Sequence, residues 1–124
     1  LLAVDRNNSR VADLYDSLHP AVLQALQAVA DASVEEGVPI GICGELAGDP
    51  GGAVLLLAMG YDVLSMNSTS LPKVKKALRN VALAEARNLL QEVMGMDHSA
   101  DIHTRLEEFL TDHGMEQFIH APVD

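Results

Sequence analysis

The one cysteine of this 124-residue chain, Cys43, stands in the stretch Gly41-Ile42-Cys43-Gly44-Glu45-Leu46-Ala47-Gly48-Asp49, just after the apolar run Val38-Pro39-Ile40. A thiol set among glycines can be held exposed as a reactive group, with neighbours tuning its pKa. Gly41, Gly44 and Gly48 suit a turn that needs unusual backbone angles or lets a ligand approach the main chain closely. The competing reading is a small buried core cysteine, the usual fate of a lone cysteine. Glu45 and Asp49 can orient the loop or its water, and they serve equally as turn and cap residues.

The remaining polar groups offer less. Arg6 lies in a polar stretch and reads, on its own, as an exposed arginine paired with Asp5 or Asp13. His98 and His103 are five apart with Asp97 and Asp101 nearby. That matches no firm metal spacing, and a helix does not bring residues five apart together. No metal site is expected there, and His113 and His120 read as tail residues. Lys73, Lys75, Lys76 and Arg79 form a basic cluster best explained as a solvated helix face complementing the helix carboxyl end.

The elements that must position Cys43 follow from periodicity and breakers. Residues 1–5 read as a short extended segment, 5–9 as a polar loop and 10–18 as a short helix broken at His19-Pro20. Val22, Leu23, Leu26, Val29, Ala30 and Ala32 then recur at spacings that give a helix one apolar face, ending at Gly37. Residues 38–42 form the first expected strand, and Asp49-Pro50 caps a helix over 50–59 that is apolar almost all round and closed by Gly60. A second strand is expected over 62–66, leaving through the polar loop 67–70. Helices are expected over 71–80 and 82–94, the latter ended by Gly95, and then from Ser99-Ala100-Asp101 to Asp112, with a flexible tail over about 115–124. A strand, a Gly-rich turn and a helix form the unit by which parallel α/β sheets present chemistry at strand carboxyl ends.

The Cys43 nonapeptide resembles the cysteine loop of the phosphoenolpyruvate-utilising enzymes. Its G-E-L-A-G-D wording is closer to enzyme I of the phosphotransferase system than to pyruvate phosphate dikinase. Leu2-Ala3-Val4-Asp5-Arg6, Leu55-Leu56-Leu57-Ala58-Met59-Gly60-Tyr61-Asp62, Leu64-Ser65-Met66-Asn67, Pro72-Lys73-Val74-Lys75-Lys76 and Arg79-Asn80 follow the same family in the same order. The resemblance spans about residues 1–95 and is nearest to the nitrogen-branch form of enzyme I.

The resemblance implies an α/β fold. The chain would be a helix-rich fragment of a (β/α)8 TIM barrel, its last two strands and carboxy-terminal helices, within a single domain over 1–124. It implies an enzyme that moves phosphoryl from phosphoenolpyruvate to its own histidine and then to a histidine-containing phosphocarrier protein. Cys43 would donate the proton that turns enolpyruvate into pyruvate, and Arg6 would bind the phosphoryl group, with Gly44, Glu45 and Asp49 in support. The Mg2+ ligands, the other substrate arginines and the phosphohistidine would all lie upstream of Leu1. The isolated chain is therefore expected to be inactive, and the family implies a homodimer. The alternative is a dimerisation or interaction module with no catalytic role.

Composition agrees with a soluble globular piece, at 48% hydrophobic residues. Eight basic against 18 acidic residues give a net charge of −10, which disfavours nucleic acid and anionic lipid as partners. A single cysteine cannot form an intramolecular disulfide, which suits a reducing cytoplasm. No apolar run approaches the length of a membrane span, and Leu1-Leu2-Ala3 lacks the charged start of a signal peptide. Without an initiator Met, the chain is expected to begin inside a longer protein.

Overall fold

In the computed structural model, which describes residues 2–119, the chain enters through a series of tight turns before its first long helix. The side chains of Asp5, Asn8 and Asp16 accept from the backbone N–H groups of Asn7, Arg10 and Leu18 at 2.9, 3.1 and 2.9 Å. Such local bonds compete with helix formation. The helix expected over 10–18 accordingly shrinks to one 3-10 turn, Ala12–Leu14. Residues 2–5 pair with no strand among the described residues.

Helix α1, Pro20–Glu36, begins where the His19-Pro20 break was read. Pro20 needs no N–H at the first turn, and His19 Nδ1 accepts from Ala21 N–H at 3.1 Å. Gly37 ends it at φ 65°, a left-handed angle that favours glycine. Only one ridge of the expected apolar face is buried, at Leu23 and Ala30, while Val29 is 53% exposed.

Strand β1 covers Gly41–Cys43 rather than 38–42, because Pro39 has no N–H to give to a ladder. It pairs in parallel with β2, Val63–Ser65, in the register Gly41 to Val63, Ile42 to Leu64 and Cys43 to Ser65. Between them lie a single turn of helix, α2 (Glu45–Gly48), and α3 (Pro50–Met59). Gly60 closes α3 at φ 103°. Tyr61 Oη donates to the Leu26 carbonyl at 3.0 Å, which ties the entry of β2 to α1.

Helices α4 (Leu71–Arg79), α5 (Leu83–Met94) and α6 (Ser99–Asp112) complete a helix-rich α/β fold of six helices and a two-stranded parallel sheet among the described residues. Glu85 accepts from the Ala82 N–H at 2.9 Å, so the start of α5 is capped by its own third residue. The flanking residue before α6 is His98, without a side-chain cap bond, so the expected cap one residue later is not used.

The core surrounds α3. Eight of its ten residues are buried, and it touches α1, α2, α4, α5 and α6. Against it lie Ala86, Leu89, Leu90 and Val93 of α5 and Ile102, Leu106, Phe109 and Leu110 of α6. Arg105 Nε donates to Glu92 at 2.7 Å and ties α6 to α5. Beyond α6, Met115 is fully buried and Glu116–Phe118 forms a 3-10 turn; the rest of the expected tail, 120–124, lies outside the described residues. No helix among the described residues is long and apolar enough to cross a membrane.

Candidate functional site

Successive residues of a strand point to opposite faces. Ile42 and Leu64 pack toward the helical core, so Gly41, Cys43, Val63 and Ser65 turn the other way and are exposed. Cys43 is thus an exposed thiol at the carboxyl end of β1, and the buried-core reading does not hold.

Immediately after it, Gly44 takes φ 119° and ψ −173°, a conformation essentially confined to glycine. An added Cβ would meet nothing within 4 Å, so backbone angle and not space demands the glycine here. The chain then turns into α2, anchored by buried Leu46 and Ala47. At its end, a Cβ on Gly48 would lie 3.1 Å from Ser70 Oγ, which shows how tightly α2 abuts the loop leaving β2.

Asp49 caps α3 by accepting from Gly52 N–H at 2.7 Å, as the Asp49-Pro50 pair suggested. It keeps an exposed edge, yet desolvation by atoms crowded about its carboxyl pushes its pKa up. The N–H groups of Gly52 and Gly51 and the charge of His103 pull it the other way.

Cys43 borders an open cleft of about 800 Å³. One wall is apolar, formed by Val22 and Leu26 of α1 with Ile42 and Leu46. The turn carrying Arg6 also lines the cleft, as do Tyr15 and Asp16. Gly44 and Glu45 line the same space, whereas Asp49 does not. The structure therefore brings together Cys43, Gly44, Glu45 and Arg6, and leaves Asp49 as a helix cap.

Arg6 pairs with neither Asp5 nor Asp13. Its Nη1 donates to Glu45 Oε1 at 3.1 Å, across 39 residues of sequence, with both side chains more than half exposed. Tyr15, which the sequence did not single out, adjoins this pair. Its phenol is held above its ordinary pKa, first by hydrogen bonding to Glu45, then by partial desolvation and the Glu45 charge, against an opposing pull from Arg6. Nothing local marks Tyr15 in the sequence, since its partner is distant in the chain.

The histidines divide differently from expectation. His103 Nε2 lies 3.4 Å from Asp16 Oδ1, and His98 takes no part. Desolvation raises the pKa of Asp16, but bonds from Ser99, the Leu18 N–H and His103 together outweigh it and leave the net shift downward. His113 is no loose tail residue: its Nδ1 donates to the Phe109 carbonyl at 2.8 Å, and its ring sits 4.3 Å from that of Phe109. His120 lies outside the described residues. The basic cluster on α4 stays away from the cleft, with Lys76 Nζ 5.5 Å from the Phe118 ring.

Among the described residues no three His, Cys, Asp or Glu side chains converge so as to hold a metal ion. The Mg2+ that the family resemblance implies finds no donor set among the described residues.

A model of the family described as PEP-utilising enzyme, PEP-binding domain (PEP, phosphoenolpyruvate), matches residues 1–83. A protein of Escherichia coli named "Phosphoenolpyruvate-dependent phosphotransferase system" is 43% identical over 121 residues, 98% of this chain and 16% of that protein. A "Phosphoenolpyruvate-protein phosphotransferase" of Haemophilus influenzae is 43% identical over 114 residues, 92% of this chain and 20% of that protein. One of Haloferax volcanii is 40% identical over 102 residues, 82% of this chain and 18% of its own. The chain spans between 16% and 20% of the length of these relatives. On the family match and these identities together, the chain belongs to the PEP-utilising enzymes, in the part that forms their PEP-binding domain.

Proposed function

We propose that this chain is the carboxy-terminal part of the TIM barrel of a cytoplasmic PEP-protein phosphotransferase, with β1 and β2 as its last two strands, and that Cys43 is the proton donor of the reaction. The observation that carries this reading is the meeting of Cys43 and Arg6 in one open cleft at the carboxyl end of a parallel strand. Parallel α/β folds place substrates at that end.

In this reading PEP lies in the cleft with its phosphoryl oxygens against the Arg6 guanidinium, whose planar donor fork matches them. Phosphoryl leaves for a histidine on another domain, and its bond electrons stay with phosphorus-free enolate. As the enolate oxygen becomes a carbonyl, the C=C electron pair takes a proton from Cys43 Sγ at the methylene carbon, giving pyruvate and a thiolate. Solvent reprotonates the exposed thiolate. A thiol suits the task because its ordinary pKa lies not far above neutrality. The phosphohistidine then passes its phosphoryl to a histidine-containing carrier protein.

The test is exchange of pyruvate methyl protons in the whole protein that carries this segment, with and without Cys43→Ala. General acid catalysis contributes roughly 10²–10⁴-fold, and a loss of that order with folding intact is expected. Unchanged exchange would make the cysteine structural. The isolated chain should transfer no phosphoryl group to a carrier protein, because in this reading the Mg2+ ligands, the other substrate arginines and the phosphohistidine belong to other parts of the whole protein.

A second reading, a module for self-association, draws on apolar residues left in solvent, among them Val34 at 74%, Val38 at 56% and Val63 at 57% exposed. The two readings are compatible. Sedimentation that shows a compact monomer at all concentrations would count against the second.

A further inference from the structure

The Arg6 to Glu45 pair is poorly placed to stabilise the fold. Its 3.1 Å contact is made between side chains 58% and 61% exposed, where ion pairs contribute little. Its location is more informative. Arg6 comes from the entry turn, Tyr15 from the end of the 3-10 turn and Glu45 from the first position of α2, and all three line the cleft that holds Cys43. Glu45 is itself aimed by the backbone, because Gly44 sets the direction in which the chain leaves Cys43 and buried Leu46 and Ala47 anchor the turn that follows. A long, flexible arginine on a surface turn samples many orientations, and binding must otherwise bear the entropy of selecting one.

We propose that Glu45 and Tyr15 are positioning residues that hold the Arg6 guanidinium over the cleft, Glu45 through the ion pair and Tyr15 through Glu45. Arg6 has five N–H donors, so one edge can stay on Glu45 while another meets an incoming phosphate. Tyr15 lines the same cleft as Glu45 and Arg6, which places its phenol where it can donate toward the Glu45 carboxylate. The inference deepens the functional reading above and rests on it, since it assigns Arg6 a phosphorylated substrate. It also gives Glu45 a role separate from that of a turn residue.

The experiment is equilibrium binding of PEP to the whole protein that carries this segment, compared across Arg6→Ala, Glu45→Ala, Glu45→Asp, Tyr15→Phe and the Glu45→Ala/Tyr15→Phe double variant, with folding checked by circular dichroism. Glu45→Ala should weaken binding about tenfold and Glu45→Asp less, and Tyr15→Phe about threefold, while Tyr15→Phe should cost nothing further in the Glu45→Ala background. That vanishing of the tyrosine effect is what a merely structural role for Tyr15 would not produce. Weakened binding in Arg6→Ala beside native affinity in Glu45→Ala, or additive effects of Glu45 and Tyr15, would overturn this proposal and leave the functional reading standing. Native affinity in Arg6→Ala would overturn both.

Discussion

Helix α3 and the strand it follows differ sharply in what surrounds them. Eight of ten α3 residues are buried, among them Val54, Leu55 and Leu56 at 0% exposure, whereas no residue of β1 or β2 is fully buried. In a parallel sheet the strands usually form the centre and the helices the cover. Here the helices pack on one another around α3, and the strands lean on that layer by one face, leaving Cys43 on the other. The chain thus separates a stabilising side from a chemical side, and substitutions on each should move different measurements.

The largest change in stability should come from Leu56→Ala. Truncating a fully buried leucine costs about 2–5 kcal/mol through lost burial and the cavity left behind. Chemical denaturation of the chain would measure it. A loss below 1 kcal/mol would mean that α3 is not the centre of the cooperative unit. Next is Gly52→Ala, where the added methyl would lie 2.6 Å from the Leu46 carbonyl oxygen, backbone that cannot step aside. Overpacking of this kind costs about 1–3 kcal/mol. It also couples the two sides, because Leu46 belongs to the turn that follows Cys43, so this variant should disturb both stability and cleft.

How much of this was legible depends on the range of the interactions involved. Helices α5 and α6 could be read because their apolar spacing is local, α3 because Asp49-Pro50 and Gly60 bound an apolar run, and Gly37 and Gly60 could be placed as terminators because they close turns within five residues. Parallel order of the strands followed from helix and strand alternation. The region 10–18 misled because Asp5, Asn8 and Asp16 trade helix for side-chain turns, and β1 started late because of Pro39. α2 was invisible, since a four-residue helix has no period and its glycines read as loop. At the site, the residues of the Cys43 loop were legible as motif, and the resemblance pointed to Arg6. The Arg6 to Glu45 pairing, the nearness of Tyr15 and the exposure of Cys43 are tertiary facts, created by which strand face meets the helices.

Acid should separate the two sides by a smaller amount. Asp16 sits at the cleft rim and is tied to α6 through Ser99 and His103, and its folded-state pKa is depressed. A depressed carboxylate contributes stability that is present above its unfolded pKa and is lost as pH falls through the folded one. Acidification from the ordinary carboxylate range downward should therefore loosen the junction of entry turn and α6. Asp16→Asn should flatten that part of the stability profile, measured by denaturation at stepped pH. An unchanged profile would show that other carboxylates dominate there.

The smallest effect, and the sharpest for the comparison, is expected at the thiol itself. Cys43 is exposed in the folded chain, so a thiol reagent need not wait for unfolding to reach it. A buried cysteine would instead label at a rate governed by opening of the structure, slowed by the equilibrium between open and closed states. Labelling of the native chain should stay within about threefold of that of a chain unfolded in denaturant, after correction for the effect of the denaturant on the reagent. Leu56→Ala should leave the native labelling rate nearly unchanged despite its loss of stability, because the destabilised layer lies behind the strand and not over the sulfur. Strong protection in the native chain, relieved by Leu56→Ala, would place Cys43 inside the same cooperative unit as α3 and erase the division between the two sides.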